Sequence, residues 1–420
     1  MSHETLLSVF KKKTKPYNLA VRLTTPTTRT FSMPVVGINT LKYGFSPDNI
    51  TSTANASGGT ITISIPVGST NVYFIIPTPT TQLNSSLQFN SGTGTDLITE
   101  VTHWDGYPLN RLAFNGLKAL EKVPSTLWSA CRDMSQMFNN CHVFNQALIW
   151  NTANVTNMTG MFYGSDKFNQ LLNFNTVNVT NMANMFYACS AFNQPVNFDT
   201  SNVTSMATMF YGCRSFNQPV NFNTVNVTNM SNMFRGCSNF DQALNFNTVK
   251  VTDMSTMFHG CSVFNQALNW NTTNVTNMTS MFNSCISFNQ LLNFDTSKVT
   301  NMSNMFLGCS VFNQPVNFDT VKVTNMINMF YNCSSFNQLL NFNTVNVTNM
   351  FGMFYGCSNF NQPVNLTNVA KVTSIDSMFS NCVVFNQDMS TTIFKPSTTR
   401  TGYDTGCPAW LPANKPKFTA

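Results

Sequence analysis

The stretch that decides the fold is residues 185–208, MFYACSAFNQPVNFDTSNVTSMAT, followed at once by residues 209–232, MFYGCRSFNQPVNFNTVNVTNMSN. Both are 24 residues long and keep the same order of residue types. Each copy is too short to bury its own apolar side chains, so copies must stack and share one core. Eleven copies open with a Met-Phe pair, the last after a one-residue insertion, at Met137, Met161, Met185, Met209, Met233, Met257, Met281, Met305, Met329, Met353 and Met378. The sequence therefore predicts a repeat solenoid.

Two apolar patterns occur within each copy. Val179, Met182 and Phe186 follow the i, i+3, i+7 spacing of one face of a short helix or 3-10 turn, which we assign to the convex side. Val196 and Phe198 alternate with polar neighbours, which is the period of a strand with one buried side. We therefore expect a leucine-rich-repeat-like rung made of a short strand plus a short helix or 3-10 turn.

The ends of the chain lack the 24-residue period. Residues 60–67 and 71–76 read as strands separated by Gly, Ser, Thr and Pro, and indicate a small β-rich, sandwich-like domain. A leucine-rich segment follows and predicts a cap for the first open rung. The expected domains are a β-rich domain at 1–100, an N-terminal cap at 101–136, the eleven-copy solenoid at 137–390, and a C-terminal cap or tail at 391–420.

Composition excludes several classes of function. Only 9% of residues are charged, and the net charge of +6 comes mainly from lysines and arginines near the two ends. A nucleic-acid groove needs a continuous basic stripe, so we expect no nucleic-acid partner. No apolar run is long enough for a membrane span, and the start has no apolar h-region, so we expect neither a membrane span nor a secretory signal peptide.

A cysteine follows each Met by four residues in every copy except one, where Ser165 takes its place. Side chains in such a column point the same way, which would strain a disulfide, and a 24-residue spacing is not a zinc pattern. We favour buried thiols over disulfides and metal ligands, and we place Cys131 and Cys407 outside the column. No cofactor is expected. The predicted structural ladder is Cys141, Cys189, Cys213, Cys237, Cys261, Cys285, Cys309, Cys333, Cys357 and Cys382.

Catalytic residues are hard to find in this sequence. Its histidines are His3, His103, His142 and His259, and none is paired with a repeating carboxylate. Acid-base and nucleophilic catalysis need a base held beside its partner. We therefore expect a non-enzymatic protein, with a site assembled across rungs as the alternative.

Outward positions of the predicted strand form columns of asparagine. Stacked amides can bond along a column, which is a structural use, or they can present a polar face for recognition. The candidate binding face is Asn173, Asn197, Asn221, Asn245, Asn269, Asn293, Asn317 and Asn341.

Asn-Val-Thr triplets recur in the turn that leads into the helical segment, and they match the glycosylation acceptor pattern. Asn and Thr are also favoured at such turns because their side chains bond nearby backbone N–H groups, and we favour that role. Whether the triplets carry glycans is left open. They begin at Asn154, Asn178, Asn202, Asn226, Asn274 and Asn346.

The motif order is Met-Phe, two residues, Cys, two residues, Phe-Asn-Gln, then Asn-Val-Thr-Asn-Met. It resembles the surface-protein repeats of mycoplasma lipoproteins and Listeria wall proteins, relatives of the BspA-like leucine-rich repeats that also occur in large DNA viruses of protists. The resemblance covers about residues 105–390 and implies a leucine-rich-repeat-like fold and a surface role.

The expected function is that of a surface-exposed structural or adhesion protein on a cell, an extracellular assembly or a virion. Its partner would be a protein or a glycan, or a further copy of the chain. The alternative is an ice- or crystal-binding protein that uses a regular threonine row, formed by Thr176, Thr200, Thr224, Thr248, Thr272, Thr296, Thr320 and Thr344.

Overall fold

The computed structural model describes residues 15, 17–24, 29–79, 85–90, 97–366 and 368–419. The chain divides into two compact units, Met1–Asn175 and Thr176–Ala420. Repeat copies occur in both units, and the domain boundaries drawn from the sequence stay predictions.

In the part of the chain that the structure describes, nine strands precede the repeats. They pair in the order β8-β1-β6-β3-β4-β5-β2-β7-β9, so the described strands join in one sheet. The sandwich-like part of the domain prediction stays a prediction. The two strand segments expected from the sequence correspond to β5 and β6. The strands are β1 Leu19–Leu23, β2 Arg29–Val36, β3 Thr40–Gly44, β4 Ser52–Ser57, β5 Thr60–Ile65, β6 Asn71–Ile75, β7 Ser86–Asn90, β8 Ile98–His103 and β9 Arg111–Asn115.

The sheet follows from simple alternation and leads directly into the first rungs. In β5, Ile61, Ile63 and Ile65 are buried while the intervening Thr and Ser are exposed. The backbone N–H of Val101 in β8 donates to Lys122 O at 2.9 Å, and that of Phe114 in β9 donates to Met137 O at 2.8 Å. Both end strands are therefore covered by the chain that follows, which removes open edges.

Each rung is a succession of tight turns, and the described residues contain no α-helix. In the rung that starts at Met182, backbone N–H groups donate three residues back, from Met185 to Met182 O at 3.2 Å and from Cys189 to Phe186 O at 3.0 Å. The φ angles of Asn184 (59°) and Ala188 (57°) are left-handed, which stops a helix from propagating. The predicted helix or 3-10 segment is therefore wrong. Its spacing still marks the inward side chains correctly, because successive turns place them three and four residues apart, as a helix does.

Backbone bonds between rungs lie on the side that we assigned to the helix. Phe210 N donates to Met233 O at 2.9 Å, Gly212 N to Arg235 O at 2.7 Å, and Thr228 N to Thr204 O at 3.0 Å. The left-handed residues reverse the turn of the backbone, so that every second backbone N–H group points toward the next rung. Gly212 suits this position because its φ is 71° and an added Cβ would approach the Ala188 backbone to 3.5 Å.

Among the described residues of the repeats, the segment predicted to be a strand carries no strand. Isolated bridges such as Leu340 to Val364 occur there instead. The alternation itself is correct, since Val196 and Phe198 are 2% and 5% exposed while Asn197 is exposed. The inward face is thus held by side-chain packing more than by a backbone ladder.

Equivalent aromatic residues stack from rung to rung in the core. Phe210 and Phe234 have ring centroids 5.6 Å apart with planes 4° apart, and Phe216 and Phe240 stack at 5.9 Å. Burial of such a side chain contributes about 1.5–3 kcal/mol. Repetition of this contact, together with the Met, Val and Cys columns, gives a continuous apolar interior in each unit.

The C-terminal segment contains one more rung than the sequence indicated. Gly402 and Gly406 have left-handed φ angles of 61° and 73°. Cys407 Sγ donates to Phe379 O in the preceding rung at 2.7 Å, which is the contact that the thiols of the structural ladder make. The expectation that Cys407 falls outside the ladder is therefore wrong. Trp410 then packs edge-on against Phe385 at 4.9 Å. Two short strands of the C-terminal segment, β10 Ile393–Phe394 and β11 Lys417–Phe418, pair in parallel.

Candidate interaction face

The candidate face is the exposed column formed in the second unit by Asn197, Asn221, Asn245, Asn269, Asn293, Asn317 and Asn341, called here the Asn face. Asn173 is its exposed equivalent in the first unit. Each of these residues lies between two buried apolar residues, as Asn197 does between Val196 and Phe198. The alternation therefore directs every amide of the column outward.

The amides of the Asn face have no partners within the described chain for most of its length. Asn197, Asn221, Asn245, Asn269, Asn293 and Asn317 make no side-chain hydrogen bond to the residues that the structure describes. At the end of the column, Asn341 Oδ1 accepts a bond from Asn365 Nδ2 at 3.2 Å. An exposed amide offers two donors and two acceptor positions, so the face presents a row of unused hydrogen-bonding groups.

A second asparagine column, four residues earlier, is used inside the molecule. Asn265 Oδ1 accepts the backbone N–H of Asn289 at 2.9 Å and Gln290 Nε2 at 3.1 Å. This pattern recurs from rung to rung with Asp241 in one position. We call it the amide ladder; in the second unit it comprises Asn193, Asn217, Asp241, Asn265, Asn289, Asn313, Asn337, Asn361 and Asn386.

The column two residues after the Asn face closes local turns. Asp199 Oδ1 accepts bonds from the Ser201 hydroxyl at 2.6 Å and the Ser201 N–H at 2.9 Å. Those two bonds lower the pKa of Asp199. Asn223 likewise accepts the Val225 N–H at 3.2 Å. These side chains fix the corner of each rung and are less available for other contacts.

The asparagines of the Asn-Val-Thr triplets bond to the preceding rung. Asn202 Nδ2 donates to Val177 O and Asn274 Nδ2 to Val249 O, both at 2.8 Å. The structural role favoured from the sequence is present, but the partner is a carbonyl of the neighbouring rung and not the expected nearby N–H group. Stacking, which sequence spacing alone does not reveal, supplies that partner.

The threonine row named for ice binding is buried. Thr176, Thr200 and Thr224 are each 1% exposed, and their equivalents are equally covered. Thr200 Oγ1 donates to Asn223 O at 2.9 Å, so the hydroxyl satisfies a carbonyl of the next rung inside the corner. Extending the alternation of Val196 and Phe198 by two residues already places Thr200 inward, which is the signal that the sequence analysis missed.

A different threonine column is exposed. Its members lie four residues further on, and their hydroxyls donate to the carbonyl of the preceding member, as Thr276 Oγ1 does to Thr252 O at 3.2 Å. These hydroxyl groups are held in one orientation. The exposed column in the second unit is Thr180, Thr204, Thr228, Thr252, Thr276, Thr300, Thr324, Thr348, Thr373 and Thr399.

The thiols of the structural ladder are all buried, and none of them forms a disulfide with another described residue. Cys261 Sγ donates to Phe234 O at 3.0 Å, and Ser165 makes the same contact through its hydroxyl to Phe138 O. Burial raises the pKa of Cys213 well above its usual value, with the neighbouring thiols adding to the effect. Such thiols are poor nucleophiles and poor metal ligands, because both reactions need the thiolate.

One histidine contacts a carboxylate across rungs. His142 Nδ1 lies 2.9 Å from Asp166 Oδ1, and both side chains are 44% exposed. Asp166 has no acidic equivalent in the other copies, so this contact does not involve a repeating carboxylate, and the sequence analysis did not anticipate it. An exposed pair of this kind in high dielectric is a weak contact.

Comparison with known proteins assigns the family. Residues 111–221, 196–292, 243–318 and 316–400 match the family described as "Mycoplasma protein of unknown function, DUF285". The chain belongs to this family. The match agrees with the mycoplasma part of the resemblance and does not single out the BspA-like or Listeria repeats. No curated protein matches the chain. Among the described residues, no helix is long and apolar enough to cross a membrane.

Proposed function

We propose that this DUF285 protein is a non-enzymatic surface protein that contacts glycans or proteins through its Asn face. The observation that carries the proposal is the contrast in use of one residue type. Asparagines of the amide ladder, the corners and the triplets bond within the molecule, whereas six successive amides of the Asn face do not. A row of unused amides on a fixed backbone suits an extended polar partner.

The same face explains how weak contacts could give useful affinity. Equivalent amides recur once per rung, so a chain-like or clustered partner meets several similar sites at once. Linked sites raise the effective concentration of each other, and avidity then grows with the number of rungs. We place the protein on a cell surface, an extracellular assembly or a virion, where multivalent contacts of this kind are useful.

The experiment is a binding assay with in-register deletions. Full-length protein and variants that lack one, two or three internal 24-residue units, beginning with 257–280, are applied to an array of immobilised oligosaccharides and to immobilised copies of the chain. Binding should fall in steps with each unit removed and vary little with salt, since few charges are available to be screened. Loss of all binding in Asn245→Ala, with no change when a distant unit is deleted, would contradict a distributed face.

Ice binding is the alternative proposal. The threonine row named for it from the sequence is buried, whereas the column that includes Thr276 is exposed and could meet a crystal surface. Thermal hysteresis of the purified protein tests that possibility directly.

A further inference from the structure

A cavity of about 480 Å³ opens on the Asn face where the 24-residue period fails. Its polar lining includes Asn341, Asn343, Asn365 and Asp388, and it lies within the second unit. Concave sites of 300–1,000 Å³ with a few convergent polar groups are the usual form of a small-molecule site.

The sequence explains why the cavity forms here. Leu366 occupies the position that is aromatic in the nine preceding copies, and the inserted residue falls between Leu366 and Lys371. Phe342, one rung earlier, is 3% exposed, whereas Leu366 is half-buried. The rung therefore loses aromatic volume and regular backbone spacing together. A break in local regularity is where a functional site is expected in a repeat protein.

Hydrogen bonds fix the orientation of the polar groups around the cavity. Asn365 Nδ2 donates to Asn341 Oδ1 at 3.2 Å, which leaves the Asn341 amide nitrogen and the Asn365 oxygen for a ligand. Asn343 Oδ1 accepts the Val345 N–H at 3.0 Å, which leaves the Asn343 amide nitrogen. Asp388 Oδ1 accepts the Ser390 N–H at 2.8 Å, and the Ser390 side chain also bonds to this carboxylate, which keeps further lone pairs for a ligand. The cavity thus combines two oriented donors with two oriented acceptors.

The remaining lining suits the carbon skeleton of a sugar. Phe342, Val364 and Leu366 supply apolar wall, and Thr391 and Thr392 add hydroxyls. Adjacent sugar hydroxyls both donate and accept, so an amide nitrogen and a carboxylate oxygen can bind them together. Bonds from Ser390, and to a smaller extent the charge of Lys417, lower the pKa of Asp388. The carboxylate is therefore ionised at neutral pH and disfavours an anionic sugar placed beside it.

We propose that this cavity binds one or two units of a neutral saccharide, so that the C-terminal end of the Asn face holds a glycan more specifically than the regular rungs do. The inference rests on the proposed function in taking a glycan as the partner. It adds a discrete subsite and a preference for uncharged sugars.

The test is a titration of the full-length chain with soluble cellobiose, lactose, N,N′-diacetylchitobiose and sialyllactose, followed by calorimetry or NMR. At least one neutral disaccharide should bind, with a dissociation constant of about 1 mM, as expected for a small polar ligand. Leu366→Phe restores the aromatic residue of the other copies and fills the cavity, and Asp388→Asn replaces an acceptor by a donor. Both variants should weaken binding at least about tenfold, the loss expected when buried ligand hydroxyls are left unpaired. Asn317→Ala, on the regular face, should bind the disaccharide like the unaltered chain.

Thermal unfolding of the variants provides the folding control. Leu366→Phe is expected to fold, because Phe occupies the equivalent position in other rungs. The proposal is overturned if none of the three neutral disaccharides binds, if both cavity variants bind as the unaltered chain does, or if sialyllactose binds equally well. If Leu366→Phe loses the soluble sugar but keeps stepwise binding to immobilised oligosaccharides, the cavity and the Asn face act separately. If no soluble sugar binds while stepwise array binding persists, the cavity fails and the Asn face stands.

Discussion

Asn265 and Asn269 belong to the same rung and have the same side chain, yet their environments differ completely. Asn265 accepts two hydrogen bonds from the next rung, at 2.9 Å and 3.1 Å, while Asn269 is exposed and bonds to nothing that the structure describes. Repetition of both columns shows that the Asn content of this chain has two separate causes. One column holds rungs together, and the other is not required by the fold.

The largest effect expected from the interior columns is alkaline unfolding. Burial raises the pKa of ladder thiols such as Cys213 and Cys237, so they stay protonated in the folded chain, whereas unfolded thiols ionise above about pH 8.5. The stability contributed by protonated thiols is present below that pH and is lost as pH rises above it, by about 1.4 kcal/mol per thiol per pH unit. Urea unfolding midpoints measured from pH 7 to 10 check this. A flat profile, or one unchanged when several ladder cysteines become serine, would show that the thiols are not buried.

Overpacking of the thiol column should have the next largest effect. Cys261 is fully buried and its Sγ lies 3.0 Å from Phe234 O, so Cys261→Phe has no space for a ring and should cost about 3 kcal/mol or more. Cys261→Ser is the matched control, because Ser165 already keeps the same contact in another rung, and it should cost less than about 1.5 kcal/mol. Thermal unfolding of the two variants gives the comparison. Equal destabilisation by Ser and Phe would contradict the packing explanation.

Removal of one amide-ladder side chain should have a moderate effect. Asn265→Ala leaves the N–H of Asn289 and one N–H of Gln290 without their acceptor, which should cost about 1–3 kcal/mol, at the lower end where water can replace it. Denaturant unfolding of this variant beside Asp241→Asn, which keeps an acceptor oxygen, isolates the bond. If Asp241→Asn destabilises as strongly as Asn265→Ala, charge and not the acceptor would be responsible.

The sequence predicted the period, the inward Met, Phe, Val and Cys columns, and the outward Asn face, because these depend only on stacking equivalent residues. It did not predict that the backbone hydrogen bonds between rungs lie on the side assigned to the helix and not along the predicted strand. Turn repeats with left-handed residues such as Asn184 give a helix-like spacing without a helix, and Ala188, which is not a glycine, gives little local sign of its positive φ. The partner of Asn202 lies in another rung, so no local pattern could identify it.

The cavity beside Leu366 is a partial exception. The lost aromatic residue and the one-residue insertion were both visible in the sequence, and a break in a long regular array is itself a signal. The hydrogen-bond orientation of Asn341 and Asn365 required the stacked structure.

The central claim is that the Asn face is free for recognition, and one matched pair of variants tests it most directly. One variant changes four face residues, Asn221, Asn245, Asn269 and Asn293, to Ala, and the other changes the ladder residues Asn217, Asn265, Asn289 and Asn313 to Ala. The measurement is thermal unfolding together with binding to the immobilised oligosaccharide array. The face variant should unfold within about 1 kcal/mol of the unaltered chain, since surface substitutions without partners are nearly neutral, and should lose at least about tenfold in avidity. The ladder variant should be strongly destabilised. A face variant that is destabilised as much as the ladder variant, or that binds as tightly as the unaltered chain, would contradict the account.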